Sequence, residues 1–261
     1  MIIDSHAHIF PDKIAEKAVE GIGSFYDLKM RFDGKISTLI DIGTKAGVEK
    51  FVVQSVATTP AQVESINNFI AKSVETYPDK LIGFAAIHPD YEDICGELDR
   101  AYEMGLKGVK IHPDFQHFHI DDDKAMKIYE HIEGKMPLLV HTGDYRYEWS
   151  KPERMARVLD AFPKLQVIGA HFGGWSEWDK VEEAYAGREI WVDTSSALYE
   201  LSTETAMKLI RFFGVDHVLF GTDYPMWSAV EELEMLSKLP LTDEEREMIL
   251  HGNIEKLLGI N

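Results

Sequence analysis

Pro137-Leu138-Leu139-Val140-His141 and Val167-Ile168-Gly169-Ala170-His171 bracket one complete repeat of this chain. Each is a short apolar run that ends on a histidine, and a helical stretch lies between them. Ser150 and Glu153 stand at capping-box spacing where that stretch begins. The same unit recurs outward in both directions. Apolar, largely β-branched runs fall at Ile2–Ile3, Phe51–Val53, Leu81–Ile87, Gly108–Ile111, Leu138–Val140, Val167–Ala170, Ile190–Val192 and Val218–Phe220. Between the second and third, Val63, Ile66, Ile70, Val74 and Tyr77 share one face at helical steps of three and four. Thr59-Pro60 reads as a cap with proline in the first turn, Thr242 and Glu245 as a second capping box. Gly105, Gly187 and Gly214 sit where helices should stop.

Apolar runs without strict alternation, each followed by a helix, are the pattern of parallel strands covered on the outside. Eight units of roughly 30 residues predict an α/β chain folded as one domain over residues 1–261, a (β/α)8 TIM barrel. An open doubly wound sheet is the rival. It would carry a glycine-rich phosphate turn after an early strand, and Gly21-Ile22-Gly23 lacks the third glycine. The first gap between runs is 47 residues, so about 11–34 are expected to form an extra loop, a lid or substrate wall over one end.

Composition narrows the function classes. The 261 residues carry 27 Lys+Arg against 45 Asp+Glu, a net charge of −18, which argues against a nucleic-acid surface. One cysteine, Cys95, excludes an intramolecular disulfide and a cysteine-based zinc site. The apolar runs fall far short of the ~20 residues that span a bilayer. Met1–His6 has neither a basic nor an apolar leader region. A cytoplasmic protein with no membrane or nucleic-acid partner is expected.

Six of the 11 histidines fall at or just past the end of an apolar run: His6, His8, His88, His112, His141 and His171. In a barrel of this kind those ends converge on one cavity. Side chains two apart on a strand point the same way, so His6 and His8 should enter it together. Two neutral imidazoles suit zinc, manganese, iron or nickel. Asp223 is the first ionisable group after Leu219-Phe220-Gly221-Thr222, and a buried carboxylate there needs a cation. Lys110 shares the parity of His112 and should also point inward. His131, His217 and His251 fall in helical patterns or at the opposite end and are read as non-catalytic.

The set His6-x-His8, His141, His171 and Asp223 resembles the amidohydrolase superfamily. Ile3-Asp4-Ser5-His6-Ala7-His8, Lys110-Ile111-His112-Pro113, His171-Phe172-Gly173-Gly174 and Gly221-Thr222-Asp223-Tyr224-Pro225 look more narrowly like its amidohydrolase-related branch. That branch includes the aminocarboxymuconate-semialdehyde decarboxylase type of enzyme. The resemblance covers essentially the whole chain. It implies that His6, His8, His141 and Asp223 hold one divalent metal, zinc foremost, with manganese, iron or nickel as the other candidates. It also implies a catalytic acid/base role for His171, with Asp223 doubling as ligand and proton acceptor. In the wider superfamily a strand-four lysine can be carboxylated to bridge two metals, which leaves a second metal at Lys110 open.

The substrate side is read from the residues alone. Lys110, His112, Arg146, Trp175, Trp227 and Arg31 are the candidate substrate contacts, with the Arg146 fork matched to a carboxylate. Trp149, Trp175, Trp178 and Trp227 follow strands and would wall a planar substrate, seal the rim or serve a homodimer contact. The leading expectation is a metal-dependent hydrolase that attacks a small molecule with metal-activated water. The alternative is a metal-dependent, non-oxidative decarboxylase of an unsaturated or aromatic acid. A metal-binding barrel without catalysis is the third reading.

Overall fold

The computed structural model describes residues 1–260. Eight parallel strands pair strictly in sequence order. They are β1 (Ile3–His8), β2 (Lys50–Gln54), β3 (Leu81–Ala86), β4 (Gly108–Ile111), β5 (Leu138–Val140), β6 (Val167–Gly169), β7 (Trp191–Asp193) and β8 (Val218–Leu219). Helices α1 (Asp12–Tyr26) and α2 (Ile36–Lys45) cross from β1 to β2, α3 (Val63–Thr76) and α4 (Ile94–Glu103) make the next two crossovers. The later ones use α5 (Pro113–Gln116) and α6 (Asp123–Ile132), then α7 (Pro152–Ala161), α8 (Trp178–Tyr185) and α9 (Thr203–Phe213). After β8 the chain ends in α10 (Ala229–Ser237), α11 (Asp243–Glu247) and α12 (Asn253–Leu258). This is a TIM barrel, as the spacing of the apolar runs predicts. No helix among the described residues is long and apolar enough to cross a membrane.

Strand parity divides the core in two. Val52, Phe84, Leu139, Ile168, Trp191 and Leu219 pack together inside the barrel. Their neighbours Phe51, Val53, Val109, Ile111, Leu138, Val140, Val167, Val192 and Val218 pack outward beneath the helices. Because a strand alternates faces at every residue, each run must be apolar on both, hence its unbroken hydrophobicity. Lys110 lies between Val109 and Ile111 and is 1% exposed, on the inward side as expected.

Strand β1 departs from strict alternation. Asp4 pairs with Phe51 and Ala7 with Val53, so three steps on β1 match two on β2. This bulge inverts the phase of the strand. Ile3 joins the interior layer, and without the bulge His6 and His8 would face the helices. Gly221 makes room beside it, since a Cβ there would lie 3.0 Å from the Cβ of His6.

The barrel closes where β1 meets the segment after β8. Ser5 N donates to Phe220 O, Asp223 N to His6 O and His8 N to Tyr224 O, at 2.7–2.8 Å. The buried Asp4 carboxylate locks the seam, accepting from Thr222 N at 3.0 Å and Thr222 Oγ1 at 2.7 Å.

Two local expectations are corrected. Residues 11–34 are mostly helix rather than loop, because Ala15, Val19 and Gly23 recur every four residues and bury one face of α1. Lys151, not Ser150, precedes α7, since the Ser150 hydroxyl is held between Asp114 Oδ2 and Gly143 O instead of capping. The Thr242–Glu245 capping box forms, and Gly105, Gly187 and Gly214 follow α4, α8 and α9 with positive φ.

Replacing Thr222 with valine keeps the shape and removes one donor from a buried carboxylate. Urea unfolding of Thr222→Val should show a loss of about 1–3 kcal/mol. An unchanged midpoint would mean that main-chain bonds alone hold the seam.

Candidate active site

The C-terminal mouth of the barrel gathers ionisable side chains around one small cavity. His6, His8, Lys110, His112, His141, His171 and Asp223 line it, under a cover of Ile22, Tyr26, Met30, Phe115, Pro225 and Met226. Its free volume is about 20 Å3, near the space of a single water.

Three of the four expected ligands form a triangle. His6 Nε2 lies 3.2 Å from His8 Nε2, and Asp223 Oδ1 lies 3.4 Å from both. A metal bound at ~2.1 Å sets its ligand atoms ~3.0–3.4 Å apart in octahedral or tetrahedral geometry, so the triangle fits one. The remaining atoms of His6 and Asp223 are already engaged. His6 Nδ1 donates to Asp193 Oδ2 at 2.8 Å, and Asp223 Oδ2 accepts from Ser196 Oγ at 2.6 Å. These bonds turn His6 Nε2 and Asp223 Oδ1 toward the triangle, as a carboxylate–histidine–metal arrangement requires.

His141 stands outside this triangle. Its Nδ1 faces His171 Nε2 at 3.1 Å, and its buried Nε2 has no hydrogen-bond partner. Asp114 Oδ2 is 3.5 Å from that Nε2. Two further groupings of His and Asp neighbour the triangle. In His6, His171 and Asp193 the carboxylate is already taken by His6 Nδ1 and the His171 backbone N, and in the set Asp114, His141 and Asp144 the last is taken by Arg146.

Burial is the largest influence on the titratable groups. It lowers His6, His8, His112 and His141 below the usual imidazole value, keeping them neutral, the form a metal binds. Burial also brings Lys110 down to about 8, against the pull of Asp223 and Asp193. Its Nζ lies 3.2 Å from His6 Nε2. For Asp223 burial works upward, but His8, His6 and His171 outweigh it and hold the carboxyl well below its ordinary value.

His171 is fixed from three sides. Its backbone N donates to Asp193 Oδ1 at 2.9 Å, Nδ1 donates to Ser195 O at 2.8 Å, and its carbonyl accepts from Trp178 Nε1. With the Nδ1 proton committed, Nε2 is the working atom. His171, Ser196 and Asp223 all have positive φ, at 59°, 49° and 60°. Backbone held in that sparsely populated region collects at functional sites.

The expected substrate contacts divide. Lys110 and His112 line the cavity; Arg146, Trp175, Trp227 and Arg31 do not. Arg146 forks onto Asp144 through Nε and Nη2, and its Nη1 donates to Phe25 O at 2.8 Å. It therefore pins the end of α1 and has no fork left for a substrate carboxylate. Trp175 packs edge-on to Tyr26, and Trp227 Nε1 donates to Ser196 Oγ, one bond behind Asp223. Arg31 pairs with Glu231 on the surface. His88 takes the backbone N–H of Asp90, while His131, His217 and His251 pair with surface carboxylates away from the cavity.

Several participants were not singled out from sequence. Asp193 follows Ile190-Trp191-Val192 as Asp223 follows its own run, so the same strand-end signal was present. Ser195 and Ser196 come just after it. Tyr26, whose OH meets His112 Nε2 at 3.0 Å, carried no signal, because it arrives from α1 rather than a strand end.

A family model described as Amidohydrolase matches residues 3–260. The chain belongs to the amidohydrolase family. Decarboxylase orsB of Emericella nidulans is 24% identical to it over 70% of this chain and 71% of that protein. The gamma-resorcylate decarboxylase of Polaromonas sp. strain JS666 is 23% identical over 75% of each. Among solved structures, a dihydroxybenzoic acid decarboxylase from the same Polaromonas strain, with bound manganese and 2-nitroresorcinol, superposes with a TM-score of 0.73. That pair shares 17% identity, over 99% of this chain and 96% of the other. Such an amidohydrolase barrel carries its chemistry at the mouth where the triangle lies.

Asp193 tests the triangle without removing a ligand. In Asp193→Asn, His6 loses its ionised partner, and manganese affinity should fall about 10- to 100-fold with circular dichroism unchanged. Wild-type affinity in that variant would show that Asp193 does not orient His6.

Proposed function

We propose that this amidohydrolase is a divalent-metal-dependent, non-oxidative decarboxylase of a small hydroxylated aromatic acid. The supporting observation is the charge of the cavity. Asp223 is its one lining carboxylate, four imidazoles are kept neutral by burial, and Lys110 supplies a cation. Adding a divalent ion makes the cavity strongly positive, so an anion is the substrate it favours. The names of the two curated relatives support a carboxy-lyase over the expected hydrolase.

His6, His8 and Asp223 would hold the metal, with His141 the nearest further candidate; manganese is the first ion to try. When bound, that ion would supply a fixed positive charge that orients and polarises an anionic substrate. Lys110 Nζ draws the substrate carboxylate to the wall of β4. Ile22, Phe115, Pro225 and Met226 exclude water, which disfavours the carboxylate relative to neutral carbon dioxide. Doubly protonated, His171 gives its Nε2 proton to the ring carbon that bears the carboxylate and is left as the neutral Nδ1–H ring, still bonded to Ser195 O. The new C–H bond forms as the C–C bond breaks, carbon dioxide leaves, and the bond's electron pair restores the aromatic ring. His141 Nδ1, 3.1 Å from that Nε2, is placed to share the returning proton. Hydrolysis of an ester or amide would leave Lys110 without a carboxylate to hold.

Manganese-loaded protein should convert 2,6-dihydroxybenzoate to resorcinol and carbon dioxide and leave ester, lactone and amide panels intact. Hydrolysis of any panel member with no carbon dioxide from the acid would reverse the assignment. His171→Asn should lower kcat about 10²- to 10⁴-fold with metal content unchanged. Metal loss in that variant would move His171 into the ligand set.

A further inference from the structure

A second cavity of about 670 Å3 adjoins the first. Phe10, Ile14, Ile22 and Phe25 form one side of it, Ile66 and Phe69 of α3 the other. His8, Ile22 and Phe115 line both cavities, so only side chains separate the two spaces. Ile14 is 52% exposed at its edge, a large apolar side chain left wet beside an apolar hollow. The metal cavity, at about 20 Å3, has no room of its own for an apolar tail. A hollow across α1 mixes Glu16, Glu20, Asp27 and Asp33 with Lys29, Arg31 and Lys35, a charged lining unsuited to an apolar group.

We propose that the cavity between α1 and α3 receives an apolar substituent of the substrate. The natural substrate is then a hydroxybenzoic acid bearing an alkyl chain or second ring, its carboxylate at Lys110 and its tail against Ile66 and Phe69. The proposal rests on the decarboxylase reading for its headgroup alone. A pocket of this size and lining is of the kind that buries apolar ligands.

The test uses manganese-loaded full-length protein and dihydroxybenzoates carrying no chain or a one-, three- or five-carbon alkyl chain. Burying each methylene should raise kcat/KM about fourfold. Ala18 lines the cavity from α1 and lies outside the site, so Ala18→Trp should fill it. That variant should flatten the chain-length series and leave the unsubstituted acid within twofold of wild type. A flat series in wild type, or a slope that survives in Ala18→Trp, overturns the proposal. Calorimetric binding of 4-hexylresorcinol against resorcinol separates the two readings. If no acid releases carbon dioxide, the decarboxylase reading fails alone, and binding at least 30-fold tighter for the hexyl probe, lost in Ala18→Trp, still upholds the cavity assignment. Equal binding of the two probes overturns it. So does a flat series with an altered oligomeric state in Ala18→Trp, which gives the hollow to a second copy. Should Ala18→Trp fail to fold, Gly21→Leu replaces it, because the space around a Cβ at Gly21 is open.

Discussion

Everything at the mouth of this barrel depends on the seam that joins β1 to the segment after β8. Three backbone hydrogen bonds make it, and Asp4 ties it to Thr222 across 218 residues of sequence. His6 and His8 stand on one side and Asp223 on the other. Closing the sheet and assembling the triangle are therefore one event. A seam opened by an ångström would leave a buried carboxylate facing no imidazole, at a cost of several kcal/mol. That exceeds the ~1 kcal/mol of any single hydrogen bond in the seam.

Around the triangle lies a second ring of polar groups that have no other evident purpose. Asp193 serves His6 and the backbone of His171, Ser195 holds the His171 ring, and Ser196 connects Trp227 to Asp223. Each bond removes a choice of tautomer or rotamer from a group that must present one lone pair inward. The rigidity is dearly obtained, since burying so many polar atoms is favourable only when nearly all are paired. His141 Nε2 and Asp114 Oδ1 are two that are not.

The architecture was legible because both faces of each barrel strand are buried, which writes an unbroken apolar run into the sequence. Most of the site was legible for the same reason, as a polar residue at the end of such a run stands out. Asp193 obeys the same rule, directly after Ile190-Trp191-Val192. What escaped depends on side chains meeting across the fold. Arg146 looked like a free carboxylate clamp because nothing local reveals that Asp144 and the carbonyl of Phe25 use its whole fork. Residues 11–34 looked like a loop because the buried face of α1 is made of Ala15, Val19 and Gly23, small residues that leave a faint periodic signal.

The extra residue in β1 has a consequence beyond the strand itself. A regular strand would bind the barrel's packing layer and its chemical layer into one phase, so that an inward Ile3 implies outward histidines. The bulge acts as a phase shifter between them. Below it, side chains answer to volume; above it, to lone pairs and charge. A change that repacks the lower layer need not rotate the upper one. The two halves of a single six-residue strand can thus be varied by separate rules, provided the offset between them is kept.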